Sequence, residues 1–370
     1  MPSTFSDYAA QLRDFVPRTL LIGRSTPLAT AEFHELAQTL FSLQFAHNPA
    51  YRRFCESRRV TPGDIAHWSE IPAIPAAAFK EFELTSLPPG HRQYVFHSSG
   101  TTGHRPARHF HDGESLAVYE LSLMAWFGAQ LEPANGSSFV SLTPPAELAP
   151  RSSLVHMFDT IHRELGSDDS RFTGRLVADG SWDVDGEATI AGLRHSITES
   201  RPVNLMGTAF NFLQLLDHLN SASIQLNLPA GSRVFETGGY KGRSRALPRA
   251  ELHSLITKKL GVPDALIGGE YGMCELSSQA YDLKAQSPLS KLPVRTFRFP
   301  PWARAQIISP ETGREVADGE TGLIRIFDLA NIRSVLAIQT EDLGVRHGDG
   351  FELLGRADLA EARGCSLMSI

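Results

Sequence analysis

The clearest pattern of apolar and polar positions lies between residues 202 and 268, where short apolar runs alternate with segments of helical spacing. Apolar residues at three- and four-residue intervals predict helices at 209–219 and 248–260. The apolar runs that flank these helices predict strands at 202–208, 232–236 and 265–268. Because strands joined through helices pair in parallel, this region predicts an α/β fold built on a parallel sheet.

From Pro301 the pattern changes to short alternating strands separated by turn sequences such as SPETG and VADGETG. Strands that follow one another directly predict a small antiparallel β subdomain. The chain is therefore expected to comprise two parts. Residues 1–300 form an α/β core with parallel and mixed sheets flanked by helices, and residues 301–370 form the antiparallel subdomain and a short C-terminal tail.

The residues before the α/β region predict a helical preface followed by mixed elements. A helix over 30–46, with Thr30 as its N-cap, and a second helix over 51–60 form this preface. The proline-spaced stretch IPAIPAAAFK at 71–80 is expected to run extended over the surface. The other predicted elements are a helix from Asp112 through Gln130, a strand at 138–143, a helix from Ser152 or Ser153 through Leu165, and a loop over 166–186.

Composition excludes several classes of protein. The 370 residues carry a formal net charge of -6 and are 42% hydrophobic, which is ordinary for a globular protein and argues against a nucleic-acid binder. Cys55, Cys274 and Cys365 lack metal-like spacing and cannot make a disulfide framework. The first residues lack a secretory pattern, and no apolar run reaches the about 20 residues that a membrane span needs. A cytoplasmic location is therefore expected.

A run of small hydroxyl residues and glycines, Ser98, Ser99, Gly100, Thr101, Thr102 and Gly103, is the first candidate for chemistry. Such a run lets backbone N–H groups approach an anion closely, and its hydroxyls add further donors. It is not a Walker P-loop, because no Gly-Lys-Ser/Thr closes it. On its own it indicates a surface turn about as well as a phosphate-binding loop.

Four further motifs follow SSGTTG at 98–103 in order along the chain and favour the phosphate-binding loop: FETGGY at 235–240, EYGMCEL at 270–276, TEDLG at 340–344 and LLGRAD at 353–358. Together these five motifs resemble the adenylate-forming superfamily, which includes acyl-CoA ligases, luciferases and the adenylation domains of peptide synthetases. Two additional stretches, IPAIPAAAFK at 71–80 and ARGCSL near the end, narrow the resemblance to the LuxE-type acyl-protein synthetases that activate fatty acids in bacterial bioluminescence.

This resemblance implies an ATP-dependent reaction in which a carboxylate attacks the α-phosphorus of ATP to give an acyl-AMP and pyrophosphate. Catalysis of this kind rests on neutralising charge and aligning the two partners. Glu275 is then the expected Mg²⁺ ligand, since carboxylate oxygen suits a hard cation. The resemblance also implies the nucleotide contacts. Ser98 to Gly103 would contact the phosphates, and Gly238, Gly239 and Tyr240 would contact the adenine. Asp342 would accept from the ribose hydroxyls, Arg356 would contact ribose or phosphate, and Tyr271 and Gly272 of the EYGMCEL motif would also line the nucleotide site.

The residues themselves leave a simpler alternative at each of these positions. Glu275 could be a carboxylate at the N-terminal end of a helix. Gly238, Gly239 and Tyr240 could form a β-turn after a strand, Asp342 could be a turn residue, and Arg356 could form a surface ion pair. His109 and His111 could bind a metal from a strand, but without a third ligand nearby they are better interpreted as surface histidines.

Two positions depart from the superfamily pattern. Cys274 stands where the motif usually has threonine, and we interpret it as a small packing residue. The chain ends soon after Arg356, where other members continue into a lid domain that carries a lysine, and Cys365 lies in this stretch. By resemblance, Cys365 accepts the acyl group from the adenylate and passes it on. Its alternative is an unreactive thiol in a frayed tail.

The resulting prediction is an adenylate-forming ligase that activates a carboxylic acid, with a fatty acid expected from the resemblance alone. An apolar pocket for the acid is expected, framed by Phe210, Phe212, Leu213, Gly238 and Gly239. The expected protein partner is an acyl reductase or another acyl acceptor. Two alternatives stay open: activation of an aromatic or other carboxylate for a partner enzyme in secondary metabolism, and a catalytically weak acyl-binding scaffold.

Overall fold

The computed structural model describes residues 4–22, 26–98, 105–131, 137–177, 181–238, 247–282 and 295–357. Its α-helices are α1 Phe5–Ile22, α2 Pro27–His47, α3 Pro49–Ser57, α4 Ala78–Glu81, α5 Gly113–Leu131, α6 Ser153–Leu165, α7 Gly186–Thr198, α8 Ala209–Ser221 and α9 Arg249–Leu260. Its strands are β1 Ile74–Pro75, β2 Tyr94–His97, β3 Arg108–His111, β4 Ser138–Ser141, β5 Arg171–Phe172, β6 Gly174–Leu176, β7 Trp182–Val184, β8 Val203–Thr208, β9 Arg233–Thr237, β10 Ile267–Tyr271, β11 Ala280–Tyr281, β12 Ala303–Ile308, β13 Thr321–Asp328, β14 Ala337–His347 and β15 Gly350–Arg356.

A six-stranded sheet in the order β11-β10-β9-β8-β4-β5 forms the centre of the α/β region. The strands from β10 to β5 pair in parallel, and only β11 pairs antiparallel. Helices α8 and α9 connect β8 to β9 and β9 to β10, as the alternating pattern predicts. The carboxyl ends of β8, β9 and β10 consequently meet at one edge, where open α/β sheets bind their ligands.

The C-terminal residues form a second sheet in the order β1-β14-β13-β12, with β15 paired to the other part of β14. Strands β12 to β15 pair antiparallel, which confirms that part of the predicted fold. Strand β1 pairs in parallel with β14 through Ile74 and Ile338. The division into parts at residue 300 stays a prediction.

The stretch at 71–80 does not run over the surface, as the sequence pattern led us to expect. Ile71, Ile74 and Phe79 are buried in the main core. The backbone N–H of Ala76 donates a hydrogen bond of 2.9 Å to Gln339 O, next to the β1–β14 pair. Within this stretch only Ile74–Pro75 form a strand, and residues 78–80 belong to helix α4, so the predicted extended conformation holds for only part of it.

The helical preface is part of the same core. Helix α1 is not among the elements predicted from the sequence, and it contains Pro17. Its residues Tyr8, Leu12 and Phe15 recur at helical spacing and are buried against the C-terminal sheet. Helix α2 begins at its N-cap Thr26, one turn before the predicted Thr30. None of the described helices combines the length and the hydropathy of a membrane-spanning helix.

Candidate functional site

The two sheets meet where β10 ends beside β14. Tyr271, the last residue of β10, donates a hydrogen bond of 2.8 Å from its hydroxyl to Asp342 Oδ2 in β14. The tyrosine ring is buried among three aromatic rings, those of Phe297, Phe299 and Phe351. Packing on three sides therefore fixes the ring, and the ring fixes one oxygen of the carboxylate.

Electrostatics at this pair keep Tyr271 as the donor. Burial is the main cause that raises the pKa of Tyr271 well above its ordinary value, and the neighbouring Asp342 raises it further. Burial also raises the pKa of Asp342, while the Tyr271 hydrogen bond and the charge of Arg356 act in the opposite direction. Asp342 lies in a strand, so its interpretation as a turn residue is wrong.

Arg356 lies directly opposite Asp342 in the β14–β15 pairing. Its Nε is 3.8 Å from Asp342 Oδ1, and 76% of its side chain is exposed. An exposed pair at this distance contributes little to stability. The Arg356 guanidinium is therefore available to bind an anion next to the Asp342 carboxylate. A bound anion and the surface ion pair both fit this arrangement, so the role of Arg356 stays a prediction.

Glu275 lies in the turn that follows β10. No helix begins there, so the alternative of a helix-end carboxylate is wrong. The residue is 6% exposed, and burial raises its pKa above the ordinary value. Hydrogen bonds from its own backbone and from the Cys274 side chain act in the opposite direction, and the positive charges of Arg356 and Lys80 add to them. No ion pair joins the Glu275 carboxylate to another residue in the described part of the chain.

Within the described ranges, no group of three or more histidine, cysteine or acidic residues is arranged to hold a metal ion. A resident all-protein metal site is therefore not indicated there. Mg²⁺ commonly binds through one or two carboxylates together with substrate phosphates. A single buried carboxylate without an ion-pair partner among the described residues, such as Glu275, fits that mode of binding.

Two glycines line the same edge of the parallel sheet. A Cβ atom at Gly272 would lie 2.2 Å from Glu270 Oε1, so a larger residue cannot stand there without displacing that carboxylate. The Thr237 hydroxyl donates to the other oxygen of Glu270 and fixes it. Gly238 follows β9 with a φ of +63°, in the left-handed region that favours glycine. Gly239 and Tyr240 lie outside the described residues.

The candidate phosphate loop leaves the β2–β3 hairpin. Ser98 exchanges two hydrogen bonds with Ala107: Ser98 N donates to Ala107 O at 3.1 Å, and Ala107 N donates to Ser98 Oγ at 2.9 Å. These bonds hold together the two ends of the loop, where it leaves the hairpin. Burial lowers the pKa of His97, and the charges of Arg151 and Arg108 lower it further, so two arginines lie near the start of the loop. Ser99, Gly100, Thr101, Thr102 and Gly103 lie outside the described residues.

His109 and His111 are buried and not on the surface, so the sequence-based interpretation of them is wrong. Their rings lie 4.2 Å apart, and each residue is 1% exposed. Burial lowers the pKa of His109 to about 4. His109 Nδ1 lies 2.8 Å from Cys274 O. The pair therefore packs behind the EYGMCEL turn as neutral imidazoles.

The two described cysteines are enclosed in the fold, and the Cys274 side chain hydrogen-bonds Glu275. Cys55 and Cys274 are both free and buried. Burial raises the pKa of Cys55 to about 12, so it is a thiol and not a thiolate at neutral pH. Cys365 lies outside the described residues.

The three phenylalanine and leucine residues predicted to line the acyl pocket all lie in helix α8. Phe212 packs in the core, Leu213 is buried, and Phe210 is half-buried. A groove of about 810 Å³ lies elsewhere, between α9 and β15, and includes Arg249 and Leu353 in its lining. The acyl pocket stays a prediction.

Three residues near the site were not singled out from the sequence. Lys80 ends the IPAIPAAAFK stretch, and its charge acts on Glu275. Asp328 and Asn331 are both 0% exposed and hydrogen-bond the turn that carries Glu275. Asp328 and Asn331 could have been found from the sequence because they interrupt the apolar run 324–338. A polar residue in such a run is usually buried and hydrogen-bonded to a partner.

Comparisons with known proteins agree with the motifs. The model of the LuxE acyl-protein synthetase family matches residues 170–369, which is more than half of the chain. A long-chain-fatty-acid–luciferin-component ligase of Aliivibrio fischeri is 23% identical over 351 residues, covering 90% of this chain and 86% of that protein. The protein of the same name from Vibrio harveyi is 23% identical over 350 residues, covering 90% and 85%. These matches confirm the resemblance drawn from the motifs.

Solved structures confirm the fold class. A 2-hydroxyisobutyryl-CoA ligase in complex with 2-HIB-AMP and CoA matches with a TM-score of 0.67 and 13% identity, covering 89% of this chain and 68% of that chain. ATP-bound MatB from Rhodopseudomonas palustris matches with a TM-score of 0.50 and 16% identity, covering 73% and 49%. At these identities the likeness establishes the architecture of the core.

Proposed function

Because the chain belongs to the LuxE acyl-protein synthetase family and is an adenylate-forming ligase, we propose that it activates a long-chain fatty acid and carries the acyl group on Cys365. In the first step a carboxylate oxygen of the acid attacks the α-phosphorus of ATP, and pyrophosphate leaves. In the second step the Cys365 thiolate attacks the carbonyl carbon of the adenylate, and AMP leaves. Fatty acid as substrate is supported by the names of the two luciferin-component ligases.

The observation that carries this proposal is the meeting of Tyr271, Asp342 and Glu275 where the two sheets join. Asp342 is held by the tyrosine through one oxygen and can accept hydrogen bonds from the two ribose hydroxyls. Arg356 lies beside it as an exposed cation for the phosphates. The glycines at 238 and 272 leave room for the nucleotide to approach the backbone.

Glu275 would hold Mg²⁺, and the ion would supply charge neutralisation at the phosphates. The loop from Ser98 to Gly103 would donate to the phosphate oxygens, supported by Arg108 and Arg151 near His97 at the start of the loop. Gly239 and Tyr240 would contact the adenine. Buried aromatic residues around Tyr271 keep the carboxylate of Asp342 from shifting when nucleotide binds.

Cys365 is the proposed nucleophile by its position, which matches the acylated cysteine of the acyl-protein synthetases, and the two described cysteines are buried. A thiolate is needed for attack, and burial holds the pKa of Cys55 at about 12. The resulting thioester would be passed to an acyl reductase or another acyl-accepting protein. A reducing cytoplasm would keep Cys365 available as a thiol.

Intact-mass measurement tests this proposal. The protein is incubated with ATP, Mg²⁺ and a mixture of fatty acids of several chain lengths and aromatic acids, and a parallel sample is treated with hydroxylamine. We expect the protein to gain one fatty acyl group, which hydroxylamine releases. ATP–pyrophosphate exchange with an aromatic acid, without a covalent adduct, would favour an enzyme that activates an aromatic carboxylate for a partner enzyme. The absence of both adduct and exchange with every acid would favour a catalytically weak acyl-binding scaffold.

Replacement of Tyr271 by phenylalanine should weaken nucleotide binding while leaving the fold intact. The substitution leaves Asp342 Oδ2 without its buried donor, which costs about 1–3 kcal/mol. We expect the KM for ATP in pyrophosphate exchange to rise by about tenfold. Tyr281→Phe is the matched control, because the Tyr281 hydroxyl is buried and has no hydrogen-bond partner among the described residues. Equal KM values in the two variants would argue against ribose binding at Asp342.

As the pH is lowered, ATP–pyrophosphate exchange should be lost at a higher pH than it would be if the carboxyl groups of the site had ordinary pKa values. Burial raises the pKa of Glu275 above 4.5 and that of Asp342 above 3.8, so each takes up a proton early as the pH falls. Protonation removes the metal ligand and one ribose acceptor, and we expect kcat/KM for ATP to decline on this acid limb. The measurement is a pH profile of exchange.

A profile of the unfolding temperature against pH is the control for this prediction. Acids whose pKa values are raised by folding stabilise the folded protein most when they are protonated. Their contribution falls as the pH rises from the unfolded-state pKa through the raised folded-state pKa. These two groups therefore do not unfold the protein in acid, and activity should be lost while the protein is still folded. An acid limb that tracks the unfolding temperature would contradict the assignment.

A further inference from the structure

The segment from Asp328 to Leu336, which we name the clamp segment, passes behind the turn that carries Glu275. It connects β13 to β14 and is buried along most of its length. Asp328 and Asn331 are each 0% exposed. Buried polar side chains of this kind need partners, and here the partners lie in the Glu275 turn.

Asn331 holds the backbone of Glu275 itself. Its Nδ2 donates to Glu275 O at 2.9 Å and to Val335 O at 2.8 Å. Its Oδ1 accepts a hydrogen bond of 3.1 Å from Ser277 Oγ. The amide thus joins the Glu275 carbonyl and the next turn residues to the clamp segment.

Asp328 holds the two residues that follow. Its Oδ2 accepts from Ser277 N at 2.9 Å and from Ser278 N at 2.8 Å. Its Oδ1 accepts from Ser278 Oγ at 2.7 Å and from Ala330 N at 3.0 Å. The turn is therefore anchored through both its carbonyl and its amide groups.

The clamp segment is anchored in turn by the N-terminal helices. Gln44 Nε2 of α2 donates to Asn331 O at 2.8 Å, and Gln44 Oε1 accepts from Leu336 N at 2.8 Å. Tyr8 of α1 donates to Leu329 O at 3.1 Å. Asn48, just after α2, donates to Ser334 O at 3.2 Å. The segment therefore cannot shift without breaking buried bonds to two helices.

We infer that Asn331 is a positioning residue that aims the Glu275 carboxylate at the metal ion of the nucleotide complex, an inference that rests on the proposed role of Glu275. Mg²⁺ demands near-ideal octahedral geometry, so a ligand whose backbone is fixed binds it better than one whose backbone moves. Without the Asn331 amide, the buried Glu275 carbonyl loses its donor and the turn relaxes. Partners of this kind commonly change metal affinity by about 10–100-fold.

Asn331→Ala and Asn48→Ala are the matched pair of variants. Both remove a fully buried asparagine that bonds the clamp segment, but only Asn331 bonds Glu275. Two quantities are measured: the Mg²⁺ concentration that gives half-maximal ATP–pyrophosphate exchange, and hydrogen–deuterium exchange of the peptide that covers residues 273–278. The second readout needs neither nucleotide nor metal.

With Asn331→Ala we expect about a tenfold rise in the required Mg²⁺ concentration and faster deuterium uptake in the Glu275 turn. With Asn48→Ala we expect neither change at equal folded fraction. Ser277→Ala removes only the Ser277 hydroxyl bond to Asn331 and should shift both readouts in the same direction by a smaller factor. The Ser277→Ala variant replaces Asn331→Ala in both measurements if Asn331→Ala fails to fold.

Glu275→Gln separates this inference from the proposed function. If the glutamine variant keeps a normal Mg²⁺ requirement, the proposed role of Glu275 is wrong whatever Asn331 does. If that variant loses its response to Mg²⁺ while Asn331→Ala behaves like Asn48→Ala in both measurements, only the positioning role is overturned.

Discussion

Cys365→Ser is expected to abolish covalent acylation while ATP–pyrophosphate exchange continues. Adenylation depends on the phosphate loop, Glu275 and Asp342, none of which the substitution alters. Thioester formation needs a thiolate, and a serine hydroxyl is a much weaker nucleophile at neutral pH. The measurement supplies radiolabelled fatty acid with ATP and follows protein-bound label that hydroxylamine releases. We expect the label to fall to background in the variant.

Cys55→Ser and Cys274→Ser are the controls, and both should label as the parent does if the protein folds. The thiol of Cys55 is buried, and its pKa is raised to about 12. Cys274 is buried at the turn where His109 contacts its carbonyl group. Undiminished label in Cys365→Ser, or label that maps to either buried cysteine, would contradict the acyl-enzyme and favour release of free adenylate to a partner.

A free cysteine has a pKa of about 8.5, so acyl transfer should accelerate from neutral to mildly alkaline pH. Exchange should not follow the same rise, because it does not use the thiol. Arg363 lies two positions before Cys365 in the sequence, and a cation close to the thiol would move the rise to lower pH. The two pH profiles together distinguish the half-reactions.

Glu275→Gln is expected to remove nearly all adenylation without unfolding the protein. The amide keeps the shape of the carboxylate but loses the charge that binds a divalent cation beside the phosphates. Loss of one such ligand costs several kcal/mol of transition-state stabilisation, which corresponds to a fall in the exchange rate of about 100-fold or more. Exchange is measured over a range of Mg²⁺ concentrations, and the unfolding temperature is measured in parallel.

Because burial already raises the pKa of Glu275, the neutral glutamine should be tolerated in the folded protein or should stabilise it slightly. Glu341→Gln is the control, since Glu341 is an exposed carboxylate next to Asp342 in β14. A rate in Glu275→Gln that matches the rate in Glu341→Gln would remove Glu275 from the mechanism.

The local elements could largely be predicted from the sequence, because their signals lie within the elements themselves. Asp112 precedes α5 and accepts a hydrogen bond from Ser115 N at 2.8 Å, as its N-cap pattern predicts. Ser152 opens α6 in the same way. The alternation of β8, α8, β9, α9 and β10 follows the apolar periodicity to within a few residues.

Contacts between distant parts of the chain could not be predicted in this way. Periodicity indicates that a residue faces inward but does not indicate which distant segment it meets. Tyr271 and Asp342 belong to separate motifs 71 positions apart, and only the meeting of β10 with β14 brings the hydroxyl to the carboxylate. The burial of His109 against Cys274 is equally nonlocal, so a surface position seemed the simpler interpretation.

The sequence by itself determined the kind of elements, the family and the residue types available for chemistry, because helix spacing, strand alternation and the ordered motifs are short-range properties. Only the tertiary structure decided which side chains act together. It paired Ile74 and Pro75 with β14, and it placed Asn331 behind Glu275. The physical reason is that a buried polar group takes whatever partner the packing of the whole chain brings within hydrogen-bond distance.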